Sequence, residues 1–369
     1  MANLTFNNIG VSALTAAVPA NTIINEEYTE HFDKQAASEI VEKTGIKERR
    51  FAPRGMCASD LCYAAAEQLI ADNSIAREEI DLVIFISQTP DYRMPATSVL
   101  LQDRLGLPKF TGAFDLNLGC SAFVYGLTVA FGYAQQEHIR KILVLDGETR
   151  SRVYSPKDRT TAYIFGDAGV AALIEKGDRF GKSFYSLNSD GSRSSLIKVD
   201  AGGYRNPSSE ETLKEKVVDE YGNIRTDEHG YMNGPDVFNF AIREVPTDIK
   251  KTLQFAGLEK DDIDYFVFHQ ANNYMNNYLA KKMKLDKAKV PGSLEHFGNT
   301  SSVSIPLTIA TELKDHLDGK RLLLCGFGVG MSWATGILNF SGCEVSSLVE
   351  VEGGDEKVES YSWNSGLDT

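Results

Sequence analysis

Residues 111–136 read "TGAFDLNLGCSAFVYGLTVAFGYAQQ". The run opens with β-rich residues, breaks at Gly119 and Cys120, and continues as a largely apolar helical stretch. It reads as a strand that feeds a helix, with a cysteine at the junction. Working outward, "DLVIFIS" (81–87) and "KILVLDGE" (141–148) read as buried strands on either side of it. Further strands are expected at 169–175, 265–270, 321–328 and 333–340. Helices alternate with them. "SDLCYAAAEQLIADN" is expected to start from a Ser59 cap, and "ANNYMNNYLAKKM" spaces Met275, Leu279 and Met283 four apart on one face. This alternation defines an α/β protein whose mixed sheets are covered by helices.

The chain has 369 residues, long for a single core and suited to two similar halves. The halves rhyme: each has a strand running into a chemically active side chain, Cys120 and then His269, and each has a later glycine turn, "FGDAGVAALI" and "FGVGMSWATGIL". Such self-similarity suggests a duplication. Residues 188–229 are polar and read as a long surface excursion with a short hairpin. The last segment, from Ser341, is acidic and reads as an appended tail, partly disordered.

A formal net charge of −13 argues against nucleic acid as a partner, which would require an excess of Lys and Arg. Five cysteines, an odd number without a Cys-x-x-Cys pair, suggest neither a disulfide framework nor a zinc site, and fit a reducing cytoplasm. No secretory signal and no membrane-length apolar run is read.

Read alone, Cys120 is either an inert buried thiol or a nucleophile whose thiolate is favoured by the helix N-terminus. His269 ends a strand, where open α/β sheets place chemistry, and Asn299 sits in the turn "GNTSS". Taken singly, each reads more simply as structural. Together they form a set: a cysteine that takes an acyl group from a thioester, and two side chains that hold a developing enolate oxygen.

The motifs "LNLGCSAFVYGL", "DRTTAYIFGDAGVAALI", "MNGPDVFNFAI", "VFHQANNYMNNYLAKKM", "EHFGNTSSVSIPL" and "GFGVGMSWATGIL" occur in this order between residues 4 and 340. In these the chain resembles the β-ketoacyl-acyl-carrier-protein synthase III family. The resemblance implies a thiolase-like fold, two pseudo-repeated mixed-sheet halves packed as a layered α/β core. Residues 1–187 would carry Cys120, 188–231 the excursion, 232–340 His269 and Asn299, and 341–369 the tail.

It further implies decarboxylative Claisen condensation of an acyl primer with malonyl-acyl-carrier protein, without metal or bound cofactor. Pantetheine thioesters of carrier protein or CoA would be the substrates, and a cytoplasmic homodimer the assembly. Cys120, His269 and Asn299 would be catalytic. The Val329 N–H would complete the oxyanion site, with Phe327 in its wall. Arg159, Met94 and Gly234 would contact substrate, Met94 closing the partner's acyl pocket, and Lys281 and Lys282 would dock the carrier. Val329 replaces the family's glycine, Glu39 the tryptophan that stacks adenine, and Pro235 a residue that hydrogen-bonds the pantetheine arm. The last two changes favour a carrier-bound donor. The alternative is an acyltransferase of the same fold that moves the chain from Cys120 to an alcohol or amine without decarboxylation.

Overall fold

The structure, a computed structural model, describes residues 2–353. Among the described residues twelve strands build two main sheets, and the ten that frame the site are β1 (Ala2–Asn7), β2 (Ile9–Pro19), β3 (Ile80–Ile86), β4 (Gly112–Leu116), β5 (Lys141–Thr149), β6 (Asp167–Lys176), β7 (Lys182–Ser189), β8 (Tyr265–Phe268), β9 (Arg321–Gly328) and β10 (Ser332–Asn339). The first sheet runs β2-β6-β5-β3-β4, the second β1-β7-β10-β9-β8.

The same pairing series occurs twice. From β3 through β5 and β6 to β2 it is parallel, antiparallel, antiparallel. From β8 through β9 and β10 to β7 it repeats. On this match β8 corresponds to β3. Cys120 follows β4, so the expected rhyme between Cys120 and His269 is displaced by one strand, although the repeated sheet stands.

The helices that matter are α1 (Lys34–Thr44), α2 (Ala58–Asp72), α3 (Thr97–Arg104), α4 (Ala122–Ala134), α5 (Gly234–Ala256), α6 (Asn273–Met283) and α7 (Ser304–Glu312). The sequence of α4, "AFVYGLTVAFGYA", is apolar nearly all round, which demands burial on both sides. It obtains that between the sheets. Leu127 and Phe131 of α4, with Ile305 and Ile309 of α7, pack between Ile84 and Val144 of the first sheet and Val267 and Leu324 of the second. Outside, α2 covers Leu143 and Leu145, and α5 with α6 covers Leu323 and Cys325. The result is five layers, helix–sheet–helix–sheet–helix. The helix starts of α4 and α7 reach the same end of the central layer, which is where a site can form.

Local details depart from expectation. The cap of α2 is Cys57, whose N–H donates to Asp60 Oδ2 at 2.7 Å, while Ser59 Oγ is drawn away to donate to Asp91 Oδ2 at 2.7 Å. Pro235 falls in the first turn of α5, where a missing N–H costs nothing. The excursion makes two ribbons instead of a single hairpin, Ile197–Val199 with Gly230–Met232 and Lys216–Val217 with Ile224–Arg225. After Ser341, Glu344–Val345 and Val349–Val351 run parallel to β2, and the Arg50–Glu350 ion pair (2.8 Å) holds the second of them. The rest of the expected tail, 354–369, lies outside the described residues.

Candidate active site

Cys120 stands two residues before α4, where the Ala122 N–H closes on the Gly119 carbonyl at 2.7 Å. The turn after β9 approaches it closely. A Cβ added at Gly328 would stand 2.7 Å from Cys120 Sγ, and one at Gly326 2.8 Å from the Cys120 carbonyl oxygen. Any side chain at either position would push the turn off the nucleophile. That proximity places the Val329 N–H where it favours the thiolate. The side chain of Val329 leans the other way, over Gly119, where an added Cβ would meet Val329 Cγ1 at 2.2 Å. Glycine at 119 thus makes the room that valine at 329 needs.

His269 leaves the end of β8, its N–H held by the Cys325 carbonyl at 2.9 Å. Its Nδ1 meets Ser304 Oγ at 2.7 Å, at the start of α7, which leaves Nε2 to face Cys120. The Phe327 ring stands edge-on to it, with centroids 5.6 Å apart. Asn299 precedes a turn in which Ser301 has φ 57°. Its Oδ1 accepts the Ser301 N–H at 2.9 Å, so its amide NH2 is the end left for a ligand. Cys120, His269, Asn299, Phe327 and Val329 line one narrow cavity that opens to solvent. Met232, Val237 and Ile197 form part of its apolar wall.

Burial raises the Cys120 thiol, but the His269 ring, the Arg150 charge and the Val329 N–H outweigh it and bring it down to about 6. The group is therefore a thiolate at neutral pH, the form that attacks a thioester. Cys325 differs. It sits on the face of β9 that α5 and α6 cover, outside the cavity lining, and burial pushes its thiol far up. It is not placed to act as a second, basic cysteine. Peptide-resolved alkylation with iodoacetamide should give a Cys120 rate that rises with a midpoint near pH 6 and levels off above pH 7, while Cys325 and Cys343, the latter pushed to about 12, stay unlabelled. A midpoint at the ordinary thiol value would overturn this electrostatic account.

Several residues singled out from the sequence lie apart from this cavity. Gly234 opens α5 between the wall residues Met232 and Val237. Met94 is 75% exposed in the loop before α3. Arg159 is bound by Glu39 of α1, Nη2 to Oε2 at 2.9 Å, so the residue expected to contact substrate is held in an ion pair. Lys281 and Lys282 end α6, and Lys282 Nζ donates to the Ile242 carbonyl at 2.6 Å.

The sequence reading missed Arg150, Gln88, Glu148, Ser301 and Ser304. A signal was present for Glu148: Ile142, Val144, Asp146 and Glu148 recur with period two along β5, and the first two face the central layer, so the carboxylates after them face it as well.

The doubled sheet and the cysteine at the start of a helix buried between the sheets define a thiolase-like condensing enzyme. The family model described as 3-oxoacyl-[acyl-carrier-protein (ACP)] synthase III matches residues 114–191, and the one for the C-terminal part of that synthase matches residues 253–340. The chain is 34% identical over 337 residues to the beta-ketoacyl-[acyl-carrier-protein] synthase III of Desulfitobacterium hafniense, covering 90% of this chain and 98% of that one. It is also 34% identical to the Streptococcus pneumoniae synthase of the same name over 332 residues, 89% of this chain and 98% of that one. A crystal structure of 3-oxoacyl-(acyl-carrier protein) synthase from Burkholderia xenovorans superposes with a TM-score of 0.88 at 36% identity, covering 95% of this chain and 99% of that one. The chain belongs to the β-ketoacyl-[acyl-carrier-protein] synthase III family.

Among the described residues no helix is long and apolar enough to cross a membrane, and no group of three or more His, Cys, Asp or Glu is placed to hold a metal ion.

Proposed function

We propose that this chain catalyses the decarboxylative condensation of an acyl primer with malonyl-acyl-carrier protein, acting as a homodimer on pantetheine thioesters. The observation that carries this is the convergence of Cys120, His269 and Asn299 on one cavity from separate segments, with Val329 in its wall.

The Cys120 thiolate attacks the primer thioester carbonyl. Its oxyanion is held by the backbone N–H groups of Cys120 and Val329, the carrier thiolate leaves and takes a proton, and an acyl-Cys120 remains. Malonyl-carrier then enters. Its carboxylate departs as CO2 and the electron pair moves onto the thioester oxygen, which His269 Nε2–H and the Asn299 amide hold as an enolate. Ser304 Oγ already accepts the Gln270 N–H at 3.2 Å, so its own hydrogen is free to go to Nδ1, which would place the imidazole hydrogen on Nε2. The enolate carbon attacks the acyl carbonyl, a C–C bond forms, the C–S bond breaks, and Cys120 is released as thiolate. Asn299 cannot titrate and supplies no base, which disfavours transfer to an alcohol or amine.

The Glu39–Arg159 pair supports a carrier-bound donor over CoA, because a carboxylate offers adenine no stacking face and already holds the guanidinium. Lys281 is the better placed of the two α6 lysines to meet an acidic carrier.

Intact mass after incubation with acetyl-CoA and with a panel of acyl-carrier thioesters tests this. The expected result is an adduct on Cys120, formed faster from carrier thioesters, and, once malonyl-carrier is added, one CO2 per 3-oxoacyl product. Product without CO2 release, or consumption of malonyl-carrier with no Cys120 adduct from any donor, would overturn it.

A further inference from the structure

Next to the nucleophile the cavity wall carries a buried cation. Arg150 follows β5 and is 7% exposed. Its three hydrogen bonds all leave Nη2, to Gln88 Oε1 at 2.6 Å, Ser301 Oγ at 3.1 Å and Glu148 Oε1 at 3.3 Å. Its Nε is buried and has no acceptor among the described residues. Arg150 lines the same cavity as Cys120. The two meet one hydroxyl, since Ser301 Oγ stands 3.9 Å from Cys120 Sγ. A Cβ added at Gly119 would lie 2.6 Å from Gln88 Oε1 and 3.3 Å from Arg150 Nη2, so this polar cluster touches the backbone beside the nucleophile. An acyl group on Cys120 enters a cavity that the Arg150 side chain lines, and that guanidinium keeps an unmet donor.

A saturated hydrocarbon there shields the cluster from water and gives that donor nothing. An oxygen on the chain gives it an acceptor. The charge of Arg150 is already opposed by Glu148, which is fully buried and also accepts from Thr89 Oγ1 at 2.9 Å. The pair is close to neutral, so it suits a neutral oxygen better than a second carboxylate. Taking the acyl-Cys120 of the proposed function as given, we infer that Arg150, held by Gln88, Glu148 and Ser301, is a specificity-determining residue that selects an acyl primer bearing a hydroxyl or keto oxygen within a few bonds of the thioester over the plain acyl chain of the same length.

A site built to hydrogen-bond a substrate oxygen rejects the analogue lacking it by as much as ~10^4-fold, and one donor in an open cavity is assigned the low end, at least ~10-fold. The test is a competition. Equimolar butyryl- and 3-hydroxybutyryl-carrier thioesters are offered to the protein, and the two Cys120 adducts are counted in the same peptide digest. A second competition sets succinyl- against 3-hydroxybutyryl-carrier. Wild type should favour 3-hydroxybutyryl over butyryl by at least ~10-fold, Arg150→Met should bring that ratio to about one or below, and Arg150→Lys should restore part of it. Because each ratio is read within one sample, a variant that folds poorly still reports it.

A wild-type ratio at or below one overturns the inference. So does an Arg150→Met that slows both primers equally, because a guanidinium acting on the Cys120 thiolate alone changes every acylation by a common factor. A preference for succinyl overturns the choice of a neutral oxygen. No adduct from any donor is a different result, since it removes the acyl-enzyme of the proposed function and this inference with it.

Discussion

Cys120→Ala should yield no acyl-enzyme and lose 3-oxoacyl product by about 10^4-fold or more, yet still release CO2 from malonyl-carrier. The magnitude follows from removing a covalent nucleophile, which takes with it nearly all that its partners contribute to the same step. The survival of decarboxylation follows from geometry. His269 is held by Ser304 and by the Cys325 carbonyl, and Asn299 by the Ser301 N–H; neither needs the sulfur for its position. Alanine is smaller than cysteine and leaves the Gly326–Gly328 turn in place, so the cavity remains. Intact mass, product chromatography and CO2 capture on one sample read the three quantities together. Loss of decarboxylation along with acylation would show that Cys120 also places the extender, contrary to the division of labour proposed here.

The second large effect is the converse. His269→Ala and Asn299→Ala should each lower decarboxylation by roughly 10^2- to 10^3-fold, the usual cost of losing one donor to a developing oxyanion. Their effects on Cys120 should differ. His269 is the largest influence holding the thiol down, so its removal should move the alkylation midpoint upward from about pH 6. Asn299 is not among the groups that hold the thiol down, and its removal should leave the midpoint in place. The sign is that of a depressed acid: above the midpoint the thiolate is present, and raising the midpoint removes it from neutral solution. Alkylation profiles for the two variants, run beside the decarboxylation assay, check both statements. Equal shifts in both variants would mean that the cavity had collapsed and not that one charge had been lost.

How far the sequence was legible depends on the range over which each feature is decided. The strand-to-helix junction at Cys120 is set by residues within a turn or two of it, and the alternation of apolar runs reports burial directly. The α2 cap shows the limit at short range. The sequence points to Ser59 as the starter, but Asp91, 32 residues beyond it, takes the serine hydroxyl, and the helix starts from Cys57 instead. The rhyme between Cys120 and His269 failed by one strand because strand order in a sheet is a property of long-range pairing and is not written in any single run. The resemblance puts Arg159 in contact with substrate, and the ion pair that Glu39 of α1, 120 residues away, makes with it is not legible in either local stretch.

The sequence by itself determined the layered α/β architecture, the family, and the three side chains at the centre of the site, because apolar periodicity, glycine turns and motif order are local and survive without knowledge of contacts. Only the tertiary structure decided the charges around Cys120, the hydroxyl that meets His269 Nδ1 and the presence of Arg150 beside the cysteine. Those depend on which charges and hydroxyls meet in a low-dielectric interior, and Arg150, Gln88 and Ser301 are brought together there across 62 and 151 positions of chain.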